Sequence, residues 1–298
     1  MNSRIELNKD KQKEIEREKH QEKAKKIIKR IVIAILIIFL VVFFSCLYIT
    51  RIGTISLLVH EEVIYNSKLP ESFSSLKIVH FGDLHYEDKA LLKDTVNTIN
   101  KRNPDILIFT GDLLKDEELT SSARKDLVGE LKKLTASIGK YAVLGETDND
   151  EAKSILRDCG FTILEDTNTL IYHGTNEAIM LVGLNTNNET IDYNKAFTNY
   201  NSNTFTMAIF HKPDYIDNFI DTYPVDLALA GHSHLGEIRI PKLLNLAEKD
   251  YATKYTDSYY KINNTDFYIT SGIGTTEFGV RINARPSINF FRLRKTDS

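Results

Sequence analysis

The chain contains no tryptophan, three methionines, six prolines and two cysteines. Cys46 and Cys159 are too few for a disulfide scaffold or a cysteine-rich zinc module. No Gly-x4-Gly-Lys-Ser/Thr loop occurs, so kinase and NTPase readings fall away. Internal repeats and low-complexity tracts are also missing. What remains is 298 residues, of which 42% are hydrophobic and 27% charged. That is enough apolar material for a real core and excludes wholesale disorder.

Charge is unevenly spread. Residues 1–30 hold eleven Lys/Arg and six Asp/Glu, a net charge of +5, and residues 31–50 hold none. With −3 for the whole chain, the remainder carries −8, which argues against a nucleic-acid partner. Ile31 to Ile49 form nineteen consecutive uncharged, mostly apolar residues without a polar face. That is about the length of a helix crossing the hydrocarbon core. Lys25, Lys26, Lys29 and Arg30 abut it on one side and only Arg51 on the other, so the N-terminus is expected to be cytoplasmic. The expected order is a cytoplasmic charged head at 1–30, a transmembrane signal anchor in plasma-membrane lipid at 31–49, and an extracytoplasmic domain at 50–298.

That domain alternates strand and helix patterns. Strands are expected at 76–81, 106–109 and 141–144, with helices at 88–102, 122–137 and 150–158. A βαβα order implies an α/β fold with a partly parallel sheet. The second half is richer in strands, expected at 161–164, 169–173, 178–184, 205–210, 226–230, 236–240, 266–270 and 287–293, and implies a second or mixed sheet. Residues 55–65 also look strand-like.

The polar residues at the strand ends carry the chemistry. In open α/β folds ligands sit beyond the carboxyl ends of strands. Here those ends deliver Asp83 and His85, then Asp112, then Glu146 and Asp148, then His211, then His232 and His234. Positions i and i+2 of an extended chain share a side, which pairs Asp83 with His85 and His232 with His234. Carboxylates with imidazoles suit Mn, Fe or Zn ions. Each piece alone is weak, since a Gly-Asp is usually a turn and a lone His such as His60, His80 or His173 is usually structural. The ordered series is what points to a metal site.

The series Gly82-Asp83-Leu84-His85, Gly111-Asp112, Gly145-Glu146-Thr147-Asp148, His211 and Gly231-His232-Ser233-His234 resembles the calcineurin-like metallophosphoesterases. Phe210 to Asp214, Gly236 to Pro241 and Ser271 to Thr275 fit the membrane-anchored bacterial subgroup, and the likeness covers about residues 55–295. The resemblance implies a four-layer αββα metallophosphoesterase sandwich after the transmembrane helix. It also implies two divalent metal ions (Mn, Fe, Zn or Mg), with Asp83, His85 and His234 on the first, His211 and His232 on the second, and Asp112 between. The implied reaction is hydrolysis of a phosphoester by a hydroxide that two metals activate. Asp112, Asp148 and Glu146 are the expected catalytic residues, and Glu146 is also an expected ligand. The family motif at 145–148 has Asn and His where this chain has Glu146 and Thr147.

Two function classes follow. One is a hydrolase acting on a phosphorylated membrane or envelope component, with diesters or good leaving groups favoured by the changes at 146 and 147. The other is a membrane-anchored metal- or phosphate-binding module that has lost turnover. Tyr251, Tyr255, Tyr259 and Tyr260 read equally as a rim over the metals or as ordinary strand and loop surface. Arg239 and Arg281 read as phosphate-steering groups or, more commonly for an arginine, surface ion pairs. Cys159 reads as a core thiol.

The charge asymmetry yields a test of topology. Protease added to intact, wall-stripped cells should release a fragment of about 28 kDa. Protection of that fragment until the membrane is broken would overturn the orientation.

Overall fold

The computed structural model describes residues 2–48, 53, 56–115, 119–187, 190–240, 244–245, 250–276 and 279–297. The chain forms two compact units, Met1–Ile49 and Thr50–Ser298. The first is a helix, α1 (Asn2–Leu47), which is long and apolar enough to cross a membrane. Ile49, the last residue of the expected span, lies outside the described residues, as do Ile55 and Pro241.

The second unit holds two six-stranded sheets. Its strands and helices run β1 (Leu58–Asn66), β2 (Lys77–Phe81), α2 (Lys89–Lys101), β3 (Ile106–Phe109), α3 (Ser121–Leu131), β4 (Gly139–Ala142), α4 (Asp150–Asp158) and β5 (Phe161–Ile163). They continue with β6 (Thr167–Tyr172), β7 (Ala178–Gly183), α5 (Tyr193–Ala196), β8 (Thr206–Ile209) and β9 (Leu227–Ala230). The last strands are β10 (Arg239–Ile240), β11 (Leu244–Asn245), β12 (Tyr259–Ile262), β13 (Thr265–Ile269) and β14 (Ser287–Lys295). One sheet has the order β1-β14-β2-β3-β4-β5 and the other β12-β13-β9-β8-β7-β6. Strands β2, β3, β4 and β5 are mutually parallel, as are β7, β8, β9 and β13.

Period-two alternation explains the layering. In β3, Leu107 and Phe109 join the cluster under the helices, while Ile106 and Ile108 join the cluster between the sheets. In β9, Leu227 and Leu229 face the same inter-sheet cluster, and Ala228 and Ala230 join a third with Phe197 and Phe219. Three apolar clusters thus separate four layers: α2 to α4, two sheets, and a thin outer layer of α5 with a 3-10 turn at Pro213–Asn218. The expected αββα sandwich is the observed fold. The helices begin where capping side chains stand. Asp88 accepts from Ala90 and Leu91, Thr120 from Ala123, and Asn149 from Glu151 and Ala152.

Three local expectations are corrected. Helix α3 stops at Leu131 rather than near 137. Beyond it the chain turns back, and the amides of Ser137 and Ile138 donate to the carbonyls of Pro104 and Asp105 at the start of β3. The strand expected at 236–240 is only Arg239–Ile240, because Leu235 and Glu237 adopt left-handed backbone (φ 47° and 44°). Tyr259 and Tyr260 lie in an unforeseen edge strand, β12, paired antiparallel with β13.

One polar group sits deep in the sandwich. His80 of β2 is fully buried, and its Nδ1 accepts from Asn289 Nδ2 of β14 at 3.2 Å. Its Nε2–H therefore donates to Thr110 Oγ1 at 3.0 Å. Burial lowers its pKa to about 3. An unfolded histidine titrates near 6.5, so below that pH the unfolded state binds the extra proton and stability falls. The loss is about 1.4 kcal/mol per pH unit from this group. Urea unfolding at pH 7 and 5 should show this slope. His80→Gln keeps a donor and an acceptor but cannot take a proton, and should flatten the slope. An unchanged slope in the variant would remove the assignment.

Candidate active site at the sheet edge

Parallel strands send their carboxyl ends the same way, and five of these ends meet. Strand β2 leads into Asp83 and His85, β3 into Asp112, β4 into Glu146, β8 into His211, and β9 into His232 and His234. The side chains form two groups able to hold an ion. One is Asp83, His85 and His234, and the other is Asp112, Glu146, His211 and His232. All seven residues named as ligands from the sequence are in one group or the other. Asp148 joins neither. Its Oδ2 accepts the amides of Asp112 and Gly145 at 2.9 Å, and Oδ1 accepts that of Leu113 at 2.8 Å. It staples the loop of Asp112 to the loop of Glu146 from behind.

Asp112 is the joint between the groups. Its Oδ1 accepts from the backbone N and the hydroxyl of Thr147, both at 2.9 Å. Its Oδ2 lies 3.4 Å from His85 Nε2 and 3.3 Å from His211 Nε2, one nitrogen from each group. Gly145 permits this packing, since a Cβ there would collide with Asp112 Oδ1. Thr147, read from the sequence as the loss of a functional histidine, here holds the shared carboxylate.

The ring nitrogens are oriented by carbonyls and a carboxylate. His211 Nδ1–H donates to Thr110 O at 2.6 Å and His232 Nε2–H to Asp250 O at 2.7 Å. This leaves His211 Nε2 and His232 Nδ1 as lone-pair donors, each 2.8 Å from a different oxygen of Glu146. His234 Nδ1 lies 2.9 Å from Glu237 Oε1, and its Nε2 is 3.1 Å from His85 Nε2 and 3.6 Å from Asp83 Oδ1.

Do these residues fit a metal pair? Asp112 Oδ2, His211 Nε2 and His232 Nδ1 are buried and make no well-directed hydrogen bond, despite near neighbours at 2.8 to 3.4 Å. Such atoms converge on a point rather than on each other. Ligands about 2.0–2.2 Å from one ion stand about 3 Å apart, which is the spacing seen. The donor set also fits, being carboxylate oxygens and neutral imidazoles backed by carbonyls and a carboxylate.

The electrostatics are those of a crowded anionic centre. Burial raises the pKa of Asp112, but His211 outweighs it and lowers the group to about 2. Burial likewise opposes ionisation of Glu146, and the adjacent imidazoles of His211 and His232 outweigh it when they carry a proton, holding the group below the carboxylate range. His211 is lowered by burial and raised more strongly by Asp112 and Glu146. Burial and then Asp112 push Asp148 up to about 7. A proton and a metal ion compete for the same nitrogen in such a site.

Five of the seven clustered residues have left-handed backbone: Asp83 (φ 48°), His85 (35°), Asp112 (57°), His232 (68°) and His234 (48°). Non-glycine residues adopt this region rarely, and a concentration of them marks a functional site.

Other sequence readings need revision. Arg281 is neither a phosphate-steering group nor a surface pair. It is fully buried, donates to the carbonyls of Ser271, Gly274 and Ala284, and lies 3.1 Å from His234 Nδ1. Burial pushes it down to about 10. Arg239 does pair on the surface, with Asp257. Tyr255 is buried against Phe267 and donates to Asp217. Tyr260 accepts from the amides of Thr256 and Asp257, and Tyr259 donates to Asp266. These three tyrosines are structural. Tyr251 packs at a tilt against Tyr215 beside Lys212, one residue after the carbonyl that orients His232. Cys159 is buried as expected. The supports Glu237 and Thr147 were missed, although the spacing of Glu237 three residues after His234 was a usable signal.

Comparison with known proteins agrees with this geometry. The calcineurin-like phosphoesterase family model matches residues 76–236. The metallophosphoesterase YkuE of Bacillus subtilis is 31% identical over 80% of this chain and 85% of its own length. The phosphodiesterase YaeI of Escherichia coli is 24% identical over 84% of this chain and 92% of its own. The UDP-2,3-diacylglucosamine pyrophosphatase LpxG of Chlamydia muridarum is 26% identical over 58% of this chain and 69% of its own. With two groups of metal-type ligands joined through Asp112 at the edge of an αββα sandwich, the chain belongs to the calcineurin-like phosphoesterases and is a hydrolase acting on phosphoester bonds.

Proposed function

We propose that residues 50–298 hydrolyse a substituted phosphate of a membrane or cell-envelope component, favouring diesters or good leaving groups. In this reading α1 anchors the domain in the plasma membrane, with the N-terminus cytoplasmic and the domain outside. The observation that carries it is the position of Asp112 Oδ2 between His85 and His211, with the other oxygen taken by Thr147. That arrangement suits one oxygen shared by two ions. Asp83, His85 and His234 would hold one ion and Glu146, His211 and His232 the other, with Asp112 common to both. Two divalent ions, when bound, supply a Lewis-acid centre that makes water more acidic and neutralises phosphate charge.

The chain's own residues shape the preference. Glu146 adds a negative charge beside the place a phosphate must occupy. It disfavours a dianionic monoester more than a monoanionic diester. Thr147 is committed to Asp112, so it is not free to protonate a departing alkoxide. General acid help is worth about 10²–10⁴ in rate and matters most for poor leaving groups. The names of two relatives, a phosphodiesterase and a pyrophosphatase of a diacylated sugar nucleotide, support a substituted phosphate with an apolar partner. The alternative of a binding module without turnover drew on Glu146 and Thr147 as lost positions. Their engagement in the site weakens that argument.

Two measurements test this. Asp112→Asn should lower metal content at both positions, read by elemental analysis, and reduce hydrolysis by about a hundredfold or more. Near-normal turnover would remove the shared-oxygen assignment. Glu146→Gln keeps the shape and removes the charge. The ratio of kcat/KM for 4-nitrophenyl phosphate to that for bis(4-nitrophenyl) phosphate should then rise by about tenfold. An unchanged ratio at equal metal content would show that Glu146 does not set the preference.

A further inference from the structure

Two loops flank the second ligand group, and one residue of each stands out. Lys212 follows His211 directly, and Tyr251 follows Asp250, whose carbonyl takes the Nε2 proton of His232 at 2.7 Å. The Lys212 Nζ lies over the Tyr251 ring, 5.1 Å from its centroid. Both residues are therefore carried by backbone that also sets an imidazole of the site.

The loop bearing Tyr251 is fixed from behind. Asp214 Oδ2 accepts from the amide and the hydroxyl of Thr253, at 2.8 and 2.9 Å, and its Oδ1 from the amide of Tyr255 at 3.1 Å. The amide of Asp214 donates to the carbonyl of Tyr251 at 3.0 Å. Held in this way, Tyr251 has left-handed backbone (φ 66°) and leaves 50% of its surface in solvent. A bulky residue adopts that conformation at a cost, which marks the position as one kept for more than packing.

The ammonium is the informative group. Among the described residues no carboxylate pairs with Lys212, although the chain beyond residue 50 carries a net charge of −8. Asp214, two residues on, has both oxygens taken by the Tyr251 loop. Lys254 gives the contrast. It too lies over a tyrosine, 4.8 Å from the centroid of Tyr255, but Asp217 neutralises it at 2.7 Å. An aromatic face holds a cation through its quadrupole without cancelling the charge. Lys212 is thus positioned yet uncompensated, beside a centre whose own carboxylates, Asp112 and Glu146, repel any further anion.

We propose that Lys212, held by Tyr251, binds a second negatively charged group carried by the substituent of the phosphoester. The proposal rests on the hydrolase reading for the place of the phosphate, and adds a charge requirement on what is attached to it. A further phosphoryl group and a carboxylate present the same chemistry to an ammonium, and the test separates them.

The full chain in nanodiscs of neutral lipid, loaded with manganese, is titrated calorimetrically with ethylphosphonate, phosphonopropanoate and ethylenediphosphonate, which cannot be hydrolysed. The two ligands with a second anion should bind about tenfold or more tighter than ethylphosphonate. The tighter of the two identifies the group, carboxylate or phosphoryl. Lys212→Gln should remove most of that advantage and leave ethylphosphonate binding largely unchanged, while Lys212→Arg should keep it. Tyr251→Leu should weaken the advantage and Tyr251→Phe preserve it. Equal Kd for all three ligands in the unaltered protein overturns the proposal. So does an advantage that survives Lys212→Gln, because the ions alone would then account for it. A parallel loss for all three ligands would put Lys212 on the reacting phosphate and overturn it as well. A Lys212-dependent preference in a protein that cleaves no phosphoester would sink the hydrolase reading and leave the anion assignment standing.

Discussion

The division of labour within one carboxylate organises this site. Asp112 gives one oxygen to Thr147 and keeps the other for the junction between the two ligand groups. With one oxygen held by Thr147, this carboxylate presents a single oxygen to the junction rather than a two-oxygen chelate. Everything around it maintains that state. Asp148 fixes the amides of Asp112 and Leu113, Gly145 leaves room for the side chain, and Thr110 turns His211 towards the free oxygen. The two sheets matter because they bring the end of β3 close enough to that of β8 for one oxygen of Asp112 to meet the His85 nitrogen after β2 and the His211 nitrogen after β8.

Much of this was legible in the amino-acid order, and for a physical reason. Strands of parallel sheets must end in loops, and loops that deliver Asp, His and Glu one after another leave a pattern a reader can follow. The seven ligand-type residues are local in that sense: each stands two to four residues past a strand. The two-sheet architecture was legible through alternation, since Ile106 and Ile108 face one layer while Leu107 and Phe109 face another. What lay hidden was non-local. Arg281 looked like a surface group because, although the carbonyls that take its protons are nearby in sequence, the site it is buried against is that of His234, 47 residues away. Thr147 looked like a deletion because its partner is 35 residues away. Helix α3 overran on paper because propensity continues to 137, whereas the backbone there is claimed by β3. The tyrosines split the same way, with an edge strand consuming two that composition left ambiguous.

Burial of so much charge calls for compensation. His234 stands between Glu237 and Arg281, one buried group of each sign. That sandwich fixes the ring while keeping the net charge behind the first ligand group near zero. Among the described residues the second group has no such cation hydrogen-bonded to its imidazoles, which lean on neutral carbonyls of Thr110 and Asp250 instead. The two halves of the site are therefore supported unequally, one by ion pairing and the other by peptide dipoles.

The left-handed residues at 83, 85, 112, 232 and 234 carry a consequence for motion. Each such turn stores about 1 kcal/mol or more relative to relaxed backbone. The strands that feed these loops are locked on both faces, so the stored strain cannot spread into the sheets. It is confined to a rim of a few residues whose carboxylates also repel one another. An ion drawing those carboxylates together opposes both effects, and its departure releases both. The rim should then behave as the least stable cooperative unit of the domain, opening and closing while the sandwich beneath stays shut. Amide exchange in these three loops would be a clock for ion occupancy, read residue by residue, with the core strands as its silent reference.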